Sequence, residues 1–291
     1  MQPLRKSIES GDRFPFRLVY RDTKSPRHEL PDHLHDGNEL IYVYAGKGVL
    51  FVNHTFYEML PGDLYLIPGN TIHRAFPDEL TPVTSTALFF GRSLLHPLEL
   101  SEDYSPLSCF DYAKKRQSYK LEIAEADRKT VIRLIEEMQA ELQSRQIGYR
   151  HSVMIRLHDL LLTLNRMSDA GTGDKGANSS MEPAWMRDTL AYIDAHTAST
   201  DLKLSDLSRR ASITPSHFSR VFRQLTGMTV TDYVAAKRIV AAKELLANTD
   251  DSVSSICGQC GFESESYFYK TFKSLTGMTP SSYKRKRNKD G

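Results

Sequence analysis

Cysteine is scarce in this sequence: 291 residues contain three, Cys109, Cys257 and Cys260. So few, and an odd number, cannot make a disulfide framework. A reducing, cytoplasmic setting is the expectation that follows. Long apolar runs are also missing. None approaches the roughly 18 uninterrupted apolar residues of a membrane span, so no membrane partner is expected. The stretch from Met1 to Phe16 lacks an apolar segment before a cleavage site, so no signal peptide is predicted. Nor does one sign of charge dominate: 38 Lys and Arg face 36 Asp and Glu, a net charge of +2. With 40% hydrophobic and 25% charged residues the composition is that of a globular protein, not a disordered tail. At about 100–200 residues per domain, the length predicts about two domains.

The near-neutral total is unevenly spread. Residues 184–291 carry 16 Lys and Arg against 11 Asp and Glu, a balance of +5, which leaves −3 for residues 1–183. A basic C-terminal third points weakly to a polyanion partner for that end alone. The two parts meet at Ser168-Asp-Ala-Gly-Thr-Gly-Asp-Lys-Gly-Ala-Asn-Ser-Ser180, which is rich in Gly, Ser and Asn and has no apolar period. It reads as a flexible linker.

Before the linker, residues from about 14 to 110 read as short strands: Glu39–Ala45, Val49–Val52, Phe56–Leu60, Leu64–Ile67 and Ala87–Phe90. Asn53-His54, Pro61-Gly62-Asp63 and Pro68-Gly69-Asn70 punctuate them as turns. Short strands at this spacing predict a sandwich or barrel. From Glu125 the period becomes helical. Val131, Leu134, Ile135, Met138 and Leu142 form one stripe, and Val153, Leu157, Leu160, Leu161 and Leu164 a second. Two such helices in succession predict an antiparallel pair. They either cap the β-domain or form a dimer interface.

After the linker the pattern is helical throughout, and it repeats at an offset of 50 residues. Phe218-Ser-Arg-Val-Phe-Arg-Gln-Leu-Thr-Gly-Met-Thr229 aligns with Phe268-Tyr-Lys-Thr-Phe-Lys-Ser-Leu-Thr-Gly-Met-Thr279. Chance does not produce this match, so a supersecondary unit is duplicated. Each copy reads as a short helix, a tight turn and a longer helix. In the first, Ser205–Ala211 precedes a turn at Ser212-Ile213. Thr214 occupies the N-cap position, Pro215 opens the next helix and Gly227 ends it. In the second, Val253–Cys260 precedes Gly261-Phe262, Ser264 can cap and Gly277 stops the helix. Two helices joined this way make a helix-turn-helix.

The second helix of each copy has two faces. Phe218, Val221, Phe222 and Leu225 must be buried, leaving Ser216, Ser219, Arg220 and Arg223 outward with His217 at the flank. In the second copy Phe268, Phe272 and Leu275 are inward, and Glu265, Ser266, Tyr269, Lys270 and Lys273 outward. Arg can grip guanine O6 and N7 with two hydrogen bonds, and Ser and Tyr can reach bases or phosphates. One basic helix face is usually only solvated surface; two in tandem point to double-stranded DNA. Lys284, Arg285, Lys286 and Arg287 read as phosphate contacts or a solvated tail.

The segment from about Trp185 to Arg287 resembles the AraC/XylS-type DNA-binding domain. Its motifs are Thr214–Gly227, Arg238-Ile-Val-Ala-Ala-Lys-Glu-Leu-Leu246 and Gly261–Tyr283. The resemblance implies seven helices, with two recognition helices in successive major-groove segments and a linking helix at about Val230–Ala247. It implies base-facing roles for Ser216, Ser219 and Arg220, and for Glu265, Ser266, Tyr269 and Lys270. Tyr269-Lys270 stands where the family usually has a small residue and then Arg. Ser212 stands where Gly is common, which predicts strain in the first turn. Cys257-Gly-Gln-Cys260 is either a redox or metal pair or two small buried residues; no second pair completes a four-cysteine zinc site.

In the N-terminal part, His33-Leu-His35-Asp-Gly-Asn-Glu39 with Gly46, and Gly62-Asp-Leu-Tyr-Leu-Ile-Pro68-Gly-Asn-Thr-Ile-His73, resemble the two cupin motifs. Asn70 replaces the second motif's Gly, and Pro77 stands where its Asn would be. The resemblance implies a small β-barrel with His33, His35, Glu39 and His73 at its mouth. Tyr42, on the strand carrying Glu39, joins them as a ligand-binding candidate. The set suits a divalent transition metal; a metal-free ligand pocket and a purely structural role are the alternatives. Cupin enzymes use the same constellation, but catalysis gives no reason for a tandem helix-turn-helix.

The expected fold is α+β and multidomain. A cupin-like ligand-binding domain spans 1–120, dimerisation and linking helices 121–168, a flexible linker 169–183 and a DNA-binding domain 184–291. The helix-turn-helix units lie at about 203–227 and 252–277. The expected function is a ligand-responsive transcription regulator, not an enzyme. Operator DNA, a small effector (a sugar or related metabolite), a second copy of the chain and RNA polymerase are the expected partners. The alternative is a constitutive DNA-binding regulator whose β-domain serves only dimerisation.

Overall fold

Eight strands and ten α-helices make up the computed structural model, which describes residues 14–24, 35–95, 104–170 and 183–290. The strands are β1 (Phe16–Lys24), β2 (Asn38–Ala45), β3 (Gly48–Val52), β4 (Thr55–Met59), β5 (Leu64–Ile67), β6 (His73–Pro77), β7 (Val83–Phe90) and the short β8 (Lys120–Leu121). They form two antiparallel sheets, ordered β1-β7-β2-β5-β8 and β4-β3-β6. The predicted turns are where the chain reverses. Asn53 and Asn70 take left-handed backbone, φ 60° and 65°, which Asn tolerates better than most side chains. Asn can therefore stand at position 70 in place of the motif's Gly. Gly69 cannot be replaced so easily, since a Cβ there would lie 2.3 Å from the Asp36 carbonyl oxygen.

Helices α1 (Ser108–Arg116), α2 (Glu125–Ser144) and α3 (Tyr149–Ala170) follow the sheets. The stripe Val131, Leu134, Ile135 and Met138 of α2, and the stripe Val153, Leu157, Leu160, Leu161 and Leu164 of α3, belong to one buried cluster with Leu40, Leu88 and Phe90 of the sheets. Both stripes are thus covered within one chain, so the reading of them as a dimer interface is corrected. Their burial against each other and the strands already removes them from water. Polar ties reinforce the packing. Asn165 Oδ1 of α3 accepts from the Cys109 amide at 2.6 Å, and Arg156 Nε meets Glu137 Oε2 at 3.0 Å.

The chain divides into two compact units, one built mainly from residues 35–179 and the other from 180–291. Most of the expected linker, residues 171–182, lies outside the described residues. The second unit contains seven helices: α4 (Ala184–Ala195), α5 (Leu204–Arg210), α6 (Pro215–Thr226), α7 (Val230–Asn248), α8 (Val253–Gln259), α9 (Glu265–Thr276) and α10 (Pro280–Asp290). Phe218 and Phe222 are fully buried on α6, and Phe268 and Phe272 on α9. Val221 and Leu225 are only half-buried, which corrects their assignment to the core: the two Phe rings fill the inward face and leave those aliphatic side chains at its margins. Among the described residues no helix is long and apolar enough to cross a membrane.

Candidate functional sites: a buried His-Glu-His cluster and two basic helices

Glu39 sits in the interior of the first unit, held by strands on both sides: it pairs with Ile67 of β5 and Phe89 of β7. His35 precedes β2 and His73 opens β6. The Pro68–Asn70 turn draws these segments together, because the Asn70 amide donates to the His35 carbonyl at 2.8 Å and the Gly69 amide to Asn38 Oδ1 at 3.1 Å. His35, Glu39 and His73 are each 2% exposed. Their ligand atoms all lie within 4.8 Å of one another.

The histidine tautomers follow from their partners. His35 Nδ1 lies 2.7 Å from the Gly37 carbonyl oxygen and His73 Nδ1 2.9 Å from that of Thr71. A carbonyl only accepts, so each Nδ1 carries a proton and donates. Each Nε2 then faces the same oxygen, Glu39 Oε2, at 3.0 Å from His35 and 2.8 Å from His73. Two bare Nε2 lone pairs cannot stably face a carboxylate oxygen in a buried place. Either protons on Nε2 or a cation must supply positive charge. Burial pushes the Glu39 carboxyl up, but His73 and His35, by charge and hydrogen bonds, outweigh it and hold the group well below the usual carboxylate range. Two imidazole nitrogens and a carboxylate with backbone-fixed tautomers are a donor set that fits a divalent transition metal.

Two further residues were expected at this site. His33 lies outside the described residues. Tyr42 is corrected: along the regular β2 pairing it is three residues from Glu39, so it points to the opposite face of the sheet. There its ring lies 4.9 Å from that of Tyr44, away from the histidines. Phe89 was missed by the sequence reading. Its ring stands edge-on to His35 at 5.4 Å, and its register opposite Glu39 puts it on the same face.

The second site is the outward face of α6 and α9. Ser216, His217, Arg220 and Arg223 are exposed on α6, with Ser219 half-buried beside them. Arg220 Nη2 donates to His217 Nδ1 at 3.0 Å, a link one helical turn apart. On α9, Glu265, Ser266, Lys270 and Lys273 are exposed and Tyr269 is half-buried. Here two of the outward groups are engaged with the protein. Ser254 Oγ of α8 donates to Glu265, and Tyr269 Oη and Ser281 Oγ of α10 are 3.4 Å apart. Lys284 Nζ donates to the Asp251 carbonyl at 2.7 Å, so it is tied to the fold and is not part of a loose tail.

The α5–α6 turn holds Ser212 at φ 56°, the left-handed backbone that Gly would adopt without strain. In the α8–α9 turn the corresponding place is Gly261, φ 78°, where a Cβ would meet the Ala198 carbonyl oxygen at 2.4 Å. Thr214 occupies the N-cap of α6 without a side-chain bond, whereas Ser264 Oγ accepts from the Tyr267 amide at 3.3 Å. Cys257 and Cys260 are buried, and burial pushes both thiols up, that of Cys260 to about 11. Thiols so shifted stay protonated, unlike a reactive pair. A surface groove between α4 and the end of α5, lined by Trp185, Asp188, Tyr192 and Arg210, had no sequence signal.

Comparison with known proteins gives these sites a context. Residues 207–286 match the model of a helix-turn-helix domain, and residues 23–84 that of a cupin domain. The chain is 22% identical to the HTH-type transcriptional activator RhaR of Mannheimia succiniciproducens over 88% of its own length and 87% of that protein's. It is 37% identical to the regulatory protein PocR of Salmonella typhimurium over 36% of this chain and 34% of PocR. It is 42% identical to the HTH-type transcriptional activator Btr of Bacillus subtilis over 35% of this chain and 19% of Btr. These relatives are regulators of transcription, not enzymes. The chain is thus similar to transcriptional activators, with a region that matches a cupin domain before a region that matches a helix-turn-helix domain, the pairing expected from its resemblance to AraC/XylS-type regulators.

Proposed function

We propose that this chain is a transcription regulator of the AraC/XylS type, that it binds double-stranded operator DNA with α6 and α9 in successive stretches of the major groove, and that a small-molecule effector, a sugar or related metabolite, is sensed in the cupin-like unit. The observation that carries the DNA reading is the repeated pairing of a buried aromatic face with an exposed basic one: Phe218 and Phe222 behind Arg220 and Arg223, Phe268 and Phe272 behind Lys270 and Lys273. Arg220 is the base reader with the strongest chemistry, since its planar fork matches guanine O6 and N7. Arg223, Lys270 and Lys273 contribute charge that any phosphate backbone attracts. Ser216, Ser219 and Ser266 supply short donors and acceptors beside them.

His35, Glu39 and His73 are the effector or metal ligands in this reading. A bound divalent ion would supply a Lewis acid to anchor an effector oxygen. The chain's own residues fix the donor nitrogens through the Gly37 and Thr71 carbonyls. The effector acts by favouring one placement of the DNA-binding units over another, which requires different affinities for the two states. A homodimer and contact with RNA polymerase complete the proposal. A second copy would meet the outward side of α3, where Ile155 is 64% exposed. Gel-shift titration of the full chain on its promoter, with and without effector, tests the function. Saturable, sequence-dependent binding altered by a small molecule supports it. Effector-independent binding supports the constitutive alternative.

A further inference from the structure

The face of the five-stranded sheet that carries Glu39 also carries a cation. Arg17 of β1 pairs with Phe89 of β7, and Phe89 pairs with Glu39 of β2. Directly opposed residues in antiparallel strands project to the same side, so Arg17, Phe89 and Glu39 form one row across three strands. The contacts follow that row. The Arg17 guanidinium carbon lies 5.9 Å from the Phe89 ring centroid, and the Phe89 ring stands 5.4 Å from that of His35. Exposure falls sharply along it. Arg17 is exposed, Phe89 is 6% exposed, and Glu39 and His35 are 2% exposed.

Glu39, the other charge in this row, has counter-charges, whereas Arg17 has none among the described residues. Glu39 is matched by His35 and His73. Arg17 makes no ion pair with any described residue. Its recorded contact is the face of Phe89, which orients a guanidinium without using its five donors.

We infer that the cupin-like unit binds a small hydroxylated carboxylate, such as a sugar acid, with the carboxylate on Arg17, the carbon skeleton along Phe89 and a hydroxyl end at the His35–Glu39–His73 cluster. This deepens the effector reading above and rests on it. The dimensions agree. Adjacent strands are about 4.8 Å apart, so the backbones of Arg17 and Glu39 are separated by roughly 10 Å. A skeleton of about five or six carbons laid along Phe89 matches that separation less the reach of the two side chains. Arg is the residue whose fork donates two parallel hydrogen bonds to a carboxylate, and Phe89 gives the apolar surface on which sugar C–H groups lie. A neutral sugar would leave Arg17 without an anion.

The test uses the full chain and matched ligand pairs: glucose with glucuronate and gluconate, galactose with galacturonate and galactonate. Thermal melting reports binding and operator gel shift reports response. The inference expects at least one acid to raise the melting temperature while its neutral partner does not. Arg17→Gln should weaken that acid by about tenfold or more, leaving the melting of ligand-free protein unchanged, because Arg17 is exposed. Arg17→Lys should recover part of the loss, since it keeps the charge but not the fork. Stabilisation by neutral sugars alone, or an acid that binds Arg17→Gln as tightly as the unaltered chain, overturns this inference and leaves the effector reading standing. No stabilisation by any compound overturns both.

Discussion

In the first helix-turn-helix pair, Phe218 and Phe222 lie 5.8 Å apart and Tyr233 meets Phe222 edge-on at 5.5 Å. In the second, Phe268 and Phe272 lie 5.7 Å apart and Tyr283 meets Phe272 edge-on at 5.6 Å. The interiors of the two pairs are nearly superimposable in chemistry. Their turns and outward faces are not. The first turn carries a strained Ser212 and the second a Gly261 pressed against Ala198. On the outward face, α6 offers two arginines, with Arg220 linked, among the described residues, only to a neighbour on its own helix. On α9 Glu265 and Tyr269 are already tied to α8 and α10. The difference teaches which parts of the duplicated unit are constrained. Packing admits few solutions, while a face that meets DNA is free to diverge once the core is secure.

The sharpest way to test the shared interior is to break it in each copy. Phe222→Ala and Phe272→Ala should each cost about 3–5 kcal/mol of stability, and by similar amounts, as denaturant unfolding would measure. Unequal losses would mean the two cores are less alike than their ring contacts suggest. The turns should respond in opposite senses. Gly261→Ala should cost about 2–3 kcal/mol, because the added methyl meets a backbone oxygen and the backbone is left-handed. Ser212→Gly should instead stabilise by about 1 kcal/mol, by relieving strain at φ 56°. Destabilisation by that substitution would show that the Ser212 side chain has a role the turn geometry does not reveal.

The outward faces should separate next. Arg220→Ala should cost about 1–3 kcal/mol on the cognate operator and relax preference at one base position. Lys273→Ala should weaken binding similarly on all sequences and reduce the salt dependence by about one counterion. His217→Ala should have the smallest effect. It removes the Nδ1 acceptor that steadies Arg220, so the same base position should lose discrimination in part, with bulk affinity nearly unchanged. Asn or Gln at position 217, which keep an acceptor, should restore some of it.

Much of this was legible in the sequence, for reasons that differ from residue to residue. The repeat announced itself because the aromatic positions recur at 50 residues and both longer helices end at Gly. The strand punctuation followed from turn residues and the helices of the two helix-turn-helix units from capping and periodicity, whereas the count of seven came from the family resemblance. The convergence of His35, Glu39 and His73 was implied by the resemblance to the cupin motifs, but their tautomers were not, since these depend on carbonyls that only the folded backbone brings near. Tyr42 could have been placed correctly from strand alternation alone: an odd separation from Glu39 puts it on the other face. The α2 and α3 stripes could not be resolved, because an apolar stripe has the same sequence whether it covers a sheet or a second subunit. Arg17 and Phe89 were missed because their relation to Glu39 is one of register between strands far apart in the chain.

Under the proposed function the duplicated unit reads DNA unequally, with base discrimination concentrated on Arg220 of α6 and general attraction on α9. The most direct measurement is the affinity of the full chain, Arg220→Ala and Lys270→Ala for a panel of operators carrying every single-base change, at one fixed salt concentration. Arg220→Ala should flatten discrimination at one position in one half of the site, while Lys270→Ala should lower affinity for all operators by a similar factor. Position-specific loss with Lys270→Ala and a uniform loss with Arg220→Ala would contradict it.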